Sequence, residues 1–307
     1  MRSATPILNR ADLGLLALLT LFWGVNWPVM KFAVLDYAPL AFRSLSILLG
    51  IVALGFYMLA RGERFFVPRH ERLRVVQLAV GNMMIWHLFA IYAIKFLTSG
   101  RAAILGYTMP IWALLASVLF FKDRFTWRGS VGVILALSAT VLLAIEEFSS
   151  LVGQPLGLGL MMVAAVGWGL GTAMMKHLHV SISNAALTFW MMLVTSIAVV
   201  LSSLLLEHDA YRWPNTGQWL TIIYNAIIVF GFCHIAWFRL ARKLPPVASS
   251  LSIMLIPPIG VFTGAWALNE TIGPFDIAAL VLILLSMAVV LLPRRRTEPA
   301  SVSTEPQ

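Results

Sequence analysis

FWGVNWPVMK at residues 22–31 returns in altered form as GWGLGTAMMK at residues 167–176. The Trp-Gly and Met-Lys pairs recur at a constant offset of 145 residues. Pro110 returns as Pro257 at an offset of 147. Internal repeats at a fixed spacing are the sequence signature of duplicated structural units, so the chain is predicted to consist of two related halves.

The composition is that of a membrane protein. Of 307 residues, 60% are hydrophobic and 11% are charged, and the mean hydropathy is +0.88. No soluble domain buries that much apolar surface. The net charge of +9 is attributed to basic loops on one side of a bilayer, so no nucleic-acid partner is expected. The single cysteine, Cys233, excludes an intramolecular disulfide and a cysteine metal cluster.

Ten segments have the length and apolar character of a bilayer-spanning helix, which needs about 20 residues. The first is expected to be a retained helix and not a signal peptide. The predicted fold is an all-α membrane protein of ten transmembrane helices over 12–34, 39–60, 73–95, 99–121, 126–146, 155–176, 183–206, 217–240, 246–268 and 272–292.

The repeat divides these helices into two groups of five. Residues 1–150 form the first five-helix repeat and residues 151–293 the second, and the polar residues 294–307 are predicted to be a disordered cytoplasmic tail. Five is an odd number, so the second repeat crosses the membrane in the opposite sense. Inverted-topology repeats of this kind are typical of transporters, whose substrate sites lie between the halves in a central cavity.

Basic residues predict the orientation. With the N-terminus in the cytoplasm, 17 of the 22 lysines and arginines lie on that side, as the positive-inside rule requires. We therefore expect a monomeric, multi-pass protein of the bacterial inner membrane with both termini cytoplasmic. The 17 residues are Arg2, Arg10, Arg61, Arg64, Arg69, Arg72, Arg74, Lys122, Arg124, Arg128, Lys176, Arg239, Arg242, Lys243, Arg294, Arg295 and Arg296.

Four tryptophans fall near the centres of predicted spans. An indole at that depth needs a partner for its N–H, which lipid does not offer. Trp23 and Trp168 are repeat mates, and they are predicted to line the central cavity together with Trp86 and Trp112. The alternative for each is packing between helices. Tryptophans near span ends, such as Trp213, are expected to anchor at the membrane interface.

Polar residues within spans are costly and are functional candidates by default. Asn26, His87, Tyr107 and His234 are the candidates for contact with a substrate. The histidines are repeat mates 147 residues apart, and inversion predicts that they lie at mirrored depths. They could carry protons, since imidazole titrates near neutral pH, or they could be neutral, hydrogen-bonded residues of the bundle.

Prolines within spans mark places where the backbone can bend. Pro110, Pro257 and Pro258 are candidate gating or hinge residues, and tight helix packing is the alternative. Arg43 and Asp276 lie near span ends. They are expected to form structural pairs, with each other or with Glu270, and a role at the external mouth is the alternative.

The paired motifs resemble those of the drug/metabolite transporter superfamily, specifically its EamA-type exporters. The stretch 22–27 followed by Lys31 is similar to that family's opening motif, and a proline thirteen residues before an acidic residue occurs in both halves. Asp123 departs from the glutamate that the family commonly has there. The resemblance covers about residues 12–292 and implies ten helices and export of small metabolites. Amino-acid exporters, including those for aromatic amino acids, are the nearest match it suggests.

Missing motifs narrow the function. The chain has no G-x-x-x-x-G-K-[ST] loop for ATP and no His-Glu-x-x-His zinc motif, so neither a cofactor nor a bound metal is expected. A cationic substrate would lack a counter-ion in the first span.

The prediction is a secondary transporter, and not an enzyme, that exports small neutral or zwitterionic metabolites, most of all aromatic amino acids, by facilitated diffusion or ion coupling. Broad drug or nucleoside efflux is the alternative. Nucleotide sugars would need deep basic residues, and an intramembrane enzyme would need a catalytic cluster that two histidines do not supply.

Overall fold

The structure is a computed structural model that describes residues 10–149, 154–234, 236 and 246–291. Over these residues the chain is helical, with no strand. The helices are α1 (Arg10–Asp36), α2 (Pro39–Ala60), α3 (Arg69–Phe96), α4 (Ser99–Phe121), α5 (Trp127–Ser149), α6 (Pro155–His177), α7 (Asn184–Leu206), α8 (Thr216–Cys233), α9 (Pro246–Leu268) and α10 (Pro274–Leu291).

Each predicted span coincides with one of these helices. Among the described residues, nine helices are long and apolar enough to cross a membrane, and Ile253–Leu268 of α9 is a shorter apolar segment. The end of the eighth predicted span, at 237–240, lies outside the described residues, as do the boundary at 150–153 and the tail 294–307. The predicted all-α, ten-helix fold is confirmed.

Short connections make successive helices run in opposite directions, so the bundle has two faces. We call the end where α1 begins the Arg10 face and the end where α1 finishes the Asp36 face. At the Asp36 face, Gly157 near the start of α6 packs on Phe96 and Leu97 at the end of α3. The first repeat therefore begins at the Arg10 face and the second at the Asp36 face, which is the inverted arrangement.

Helix contacts also follow the repeat. α1 packs along α9, and its mate α6 packs along α4. α2 packs on α8, and its mate α7 packs on α3. The mates α2 and α7 contact each other, as do α5 and α10. Exchanging the two halves leaves this set of contacts unchanged, so the halves are related by an approximate two-fold axis.

Three helices depart from regular α geometry near the centre. α3 contains a π-helical segment, Val80–Met84, and its mate α8 contains another, Tyr224–Cys233. π segments occur often at functional sites. α4 is interrupted after Gly106 and resumes at Met109, with Pro110 in the first turn of the new segment. By contrast, α9 continues as a helix through Pro257 and Pro258.

Candidate functional site

A cavity of about 130 Å³ lies between the two halves. Four helices of the first repeat and two of the second contribute its walls. Its lining residues are Trp23, Asn26, Trp27 and Met30 of α1, Arg43 of α2, Trp86 and His87 of α3, Tyr107 and Met109 of α4, Trp168 of α6, and Val229, Phe230 and His234 on or directly after α8.

Aromatic rings form most of the cavity wall. Trp86 lies edge-to-face with Trp168, at 5.2 Å between ring centroids, and with Trp27, at 6.2 Å. Trp27 also meets Tyr107 at 6.3 Å, and Trp23 meets His234 at 6.2 Å. Edge-to-face pairs hold rings in defined orientations, so the wall is a connected aromatic surface that crosses from one repeat to the other.

The size of the cavity limits its ligand. An apolar protein cavity of roughly 150 Å³ holds one benzene molecule, whereas pockets for drug-sized ligands measure about 300–1,000 Å³. A volume of about 130 Å³ therefore matches a single ring or a short side chain in this conformation.

The two predicted histidines meet the same aromatic ring. His87 lies 5.3 Å from the Phe230 ring centroid, and His234 stacks on that ring at 6.0 Å. His234 Nδ1 is 2.8 Å from the carbonyl oxygen of Val229. His87 Nδ1 is buried without a hydrogen-bond partner, and so is the side-chain oxygen of Asn26. The histidines thus share one site between the repeats.

The prediction that Arg43 forms a structural pair with Asp276 or Glu270 is wrong. Its side chain is 3% exposed and lines the cavity, and among the described residues no carboxylate pairs with it. Asp276 binds Arg101 instead, and Glu270 accepts hydrogen bonds from Ser99. Basic residues are therefore not confined to the span ends, because Arg43 reaches inward from the second turn of α2.

Seven of the eight predicted substrate-binding residues line this one cavity. Trp112 does not. Its indole N–H donates to Thr108 Oγ1 at 3.1 Å, and its backbone packs on Gly169 of α6. The three candidate hinge prolines also lie outside the described lining, although Pro110 follows the lining residue Met109. Contact with a substrate and hinge motion both stay predictions.

Six lining residues were not among the predicted substrate contacts: Trp27, Met30, Arg43, Met109, Val229 and Phe230. Helical spacing could have identified two of them. Trp27 and Met30 lie four and seven residues after Trp23, a spacing that places all three on one face of α1. No comparable signal was present for Phe230, whose position depends on the path of the π segment of α8.

At the Asp36 face, Glu207 joins three helices. Its carboxylate accepts hydrogen bonds from the backbone N–H groups of Leu40, at 3.0 Å, and Ala41, at 2.9 Å. The Tyr92 hydroxyl donates to the same carboxylate at 2.8 Å. A negative charge at a helix N-terminus satisfies unpaired N–H groups and interacts favourably with the helix dipole. Glu207 therefore holds α2 against α3 and the end of α7.

Glu270 binds the start of α4 as Glu207 binds the start of α2. It accepts bonds from the backbone N–H of Ser99, at 2.8 Å, and from the Ser99 hydroxyl, at 2.6 Å. A methyl group at Gly264 would collide with both the Ser99 hydroxyl and the Glu270 carboxylate. Glycine at this position lets the end of α9 approach the start of α4.

Arg101 completes this face with a charge cluster. Its guanidinium contacts the carboxylates of Glu146, Glu147 and Asp276, which connects α4, α5 and α10. Lys31 on α1 donates to the backbone carbonyls of Ile94 and Lys95 near the end of α3, which links α1 to α3 at this face. Together these bonds link both repeats across the Asp36 face.

Among the described residues, the Arg10 face is linked through Glu71, which is buried, and Asp123, which is partly exposed. Glu71 accepts from the backbone N–H of Ser181, just before α7, at 3.1 Å. Asp123 pairs with Lys176 at 2.6 Å and with His177 at 3.4 Å. The hydrogen bond and charge of Lys176 hold the pKa of Asp123 below its usual range.

Comparisons with known proteins agree with this architecture. The sequence profile of the EamA-like transporter family matches residues 12–145 and 155–292, one match for each repeat. An uncharacterized transporter, YoaV of Bacillus subtilis, is 22% identical over 255 residues, which cover 82% of this chain and 87% of that protein.

A probable amino-acid metabolite efflux pump of Salmonella typhimurium is 26% identical over 310 residues, covering 96% of this chain and all of that protein. One crystal structure superposes with a TM-score of 0.65 at 18% identity, covering 92% of this chain and 96% of the other. That likeness shows the fold alone.

Proposed function

We propose a function from the premise that this chain belongs to the EamA-like transporter family. Members of that family are named transporters and not enzymes. The proposal is that the protein exports small metabolites across the bacterial inner membrane, and that its substrates are amino acids, with aromatic ones favoured.

The central observation is the aromatic cavity between the repeats. Apolar walls with a few well-placed polar groups suit small organic ligands. The ring-sized volume favours an amino acid over a drug-sized compound. The relative named as a probable amino-acid metabolite efflux pump supports the same class of substrate.

Inverted repeats supply the mechanism. Two halves that are related by an in-plane two-fold axis can exchange conformations, which opens the central site to each side in turn. The distribution of basic residues supports an orientation with the Asp36 face outside the cell under the positive-inside rule. In this conformation the bonds of Glu207, Glu270 and Arg101 hold that outer face together, so release of the substrate requires them to separate.

Counterflow in proteoliposomes tests the substrate. Vesicles loaded with unlabelled phenylalanine, tryptophan, threonine or uridine should accumulate the matching radiolabelled compound when the purified protein is present. We expect accumulation of amino acids, largest for the aromatic ones. If uridine or a drug moves and every amino acid fails, the proposal is wrong.

A pair of tryptophan variants tests the site. Trp168→Ala removes a ring from the cavity wall, whereas Trp213→Ala removes an indole that is 83% exposed at the Asp36 face. We expect counterflow to fall roughly tenfold for the first and little for the second, because only the first ring contacts the substrate. Equal losses at matched protein content would contradict the placement.

A second measurement addresses the energy source. We expect facilitated export, because the described cavity lining contains no carboxylate that could carry a proton. Counterflow is measured with equal pH on both sides and then with a pH gradient. Uphill transport on the gradient that is lost in His87→Ala or His234→Ala would assign proton coupling to the histidines instead.

A further inference from the structure

We infer that Arg43 binds the carboxylate of the transported molecule, so that a carboxylate is required for transport and an amino group is not. This inference rests on the proposed function, because it specifies which part of a small metabolite the cavity recognises. It also assigns a residue that the sequence pattern placed among structural pairs.

No carboxylate among the described residues neutralises the charge of Arg43. Arginine stays protonated in proteins, and an isolated buried charge is strongly unfavourable unless it is paired. Arg43 is 3% exposed, and among the described residues no carboxylate pairs with it. Among the described residues, the buried carboxylate of Glu207 has several donors close by. Arg43 therefore lacks the compensation that a purely structural arginine has.

Arg43 makes two hydrogen-bond contacts, and neither is with a charged group. One terminal nitrogen donates to the Met30 sulfur at 2.9 Å, and the other lies 3.5 Å from the Asn225 side-chain oxygen. Nε is buried without a partner. A guanidinium has five N–H donors in a planar fork that matches a carboxylate with two parallel bonds. The Met30 sulfur and the long contact with Asn225 leave most of the hydrogen-bonding capacity of the guanidinium unused.

The surroundings hold the guanidinium in place. Its central carbon lies 5.6 Å from the Phe42 ring centroid and 5.8 Å from that of Phe230. Aromatic faces attract a cation without neutralising it. Phe230 is also the ring that His87 and His234 contact, so Arg43 belongs to the same site as the two histidines.

Asn26 supplies a neutral hydrogen-bond acceptor in the same cavity as Arg43. Asn26 is four residues before Met30 on α1, so the two side chains project from the same face of the helix. Met30 contacts Arg43, and the Asn26 oxygen is buried with no partner. An α-amino acid could place its carboxylate on Arg43 and its ammonium on Asn26. Because Asn26 carries no charge, the amino group contributes less than the carboxylate.

A competition experiment on the unmodified protein tests this order. Counterflow of the best-transported amino acid is measured with increasing amounts of its amide, which lacks the carboxylate, and of its des-amino acid, which lacks the amine. For phenylalanine these competitors are phenylalaninamide and 3-phenylpropionate. We expect 3-phenylpropionate to compete within roughly tenfold of phenylalanine and the amide to be at least about 30-fold weaker. Equal competition by the amide would overturn the inference.

Arginine variants test the residue itself. Arg43→Gln should weaken the apparent affinity for the amino acid at least about 30-fold, and Arg43→Lys, which keeps the charge but loses the fork, roughly tenfold. The decisive readout is selectivity. Arg43→Gln should no longer distinguish the acid from the amide. The control is Arg74→Gln, whose exposed side chain donates to the His179 carbonyl outside the cavity and should leave affinity unchanged.

The outcomes separate the two proposals. Amino-acid counterflow that is unchanged in Arg43→Gln would refute the role of Arg43 and leave the proposed function standing. Transport of uncharged nucleosides alone would refute both. If Arg43→Gln does not fold, as judged by size-exclusion chromatography and thermal unfolding, the competition with the amide on the unmodified protein decides.

Discussion

Among the described residues, different sets of bonds hold the two faces of the bundle. Glu207 and Glu71 both bind the backbone near the start of a mate helix, α2 or α7. Glu270 and Asp123 are repeat mates, yet Glu270 binds the start of α4 whereas Asp123 binds Lys176 at the end of α6. Among the described residues, carboxylates with several donors hold the Asp36 face, whereas Asp123 at the Arg10 face makes more exposed ion pairs.

This difference indicates how an inverted repeat can adopt two conformations. A carboxylate at the same repeat position can engage a helix start, as Glu270 does, or a lysine, as Asp123 does. Alternating access requires the two faces to exchange such arrangements. In this conformation these bonds close the Asp36 face, and variants of comparable contacts at the two faces should have unequal effects.

The largest difference in the loss of stability is expected between Glu207→Ala and Glu71→Ala. Glu207 accepts hydrogen bonds from α2, from Tyr92 of α3 and from Ser203 of α7, and its loss leaves buried N–H groups of α2 unpaired. We expect a loss of about 3 kcal/mol, against about 1 kcal/mol for Glu71, which accepts from one N–H. Thermal unfolding in detergent measures both. Equal shifts in melting temperature would show that the faces are equally strong.

Gly264→Ala tests the close helix packing at the Asp36 face by adding a methyl group. The added methyl would collide with Ser99 and Glu270, and overpacking of this kind costs about 1–3 kcal/mol. The mate position already carries a side chain, Ser117, so Ser117→Ala is the matched control. A lower melting temperature for Gly264→Ala alone is expected. Tolerance of alanine at 264 would mean that close contact at the Asp36 face is not required.

Glu270→Gln tests whether the Asp36 face controls access to the cavity. Loss of the charged acceptor of Ser99 should favour opening by about 1.4 kcal/mol, which is a tenfold shift in population. Met30→Cys, introduced with Cys233→Ala, reports opening through its rate of labelling by a membrane-impermeant maleimide from the Asp36 side. We expect roughly tenfold faster labelling for Glu270→Gln and little change for Asp123→Asn.

The smallest effect concerns Asp123 and pH. Because Lys176 lowers the pKa of Asp123 in the folded protein, the pair stabilises the fold above the ordinary carboxylate pKa of about 4. That contribution declines as pH falls through the lower folded value. Asp123→Asn should therefore melt slightly below the unmodified protein at pH 7, and the two should converge at acidic pH. A difference that persists at acidic pH would assign another role to Asp123.

Sequence patterns predicted the architecture because the information was local. Runs of apolar residues identify spans without reference to any other segment, and an odd number of spans in each repeat dictates inversion. The repeat also selected Trp23, Trp168, His87 and His234, since mates near the middle of their spans can lie on either side of a two-fold axis between the halves. These residues do line one cavity between the halves.

The same sequence patterns could not predict contacts between segments that are distant in the chain. Trp112 and Trp86 look alike in the sequence, yet one packs on Gly169 and the other lines the cavity. Arg43 was assigned to a structural pair from its position near a helix end. The π segments of α3 and α8 alter which side chains point inward, and apolar composition does not reveal them.

By itself, therefore, the sequence determined the spans, the two inverted repeats and five of the six helices that border the cavity, because hydrophobicity and repetition act along the chain. Only the tertiary structure decided that Arg43 lies in the cavity without a carboxylate and that Glu207 and Glu270 close one face. The physical reason is that a buried charge is compensated by whichever group packing brings within hydrogen-bonding distance. For Glu270 that group, Ser99, lies 171 residues away in the chain.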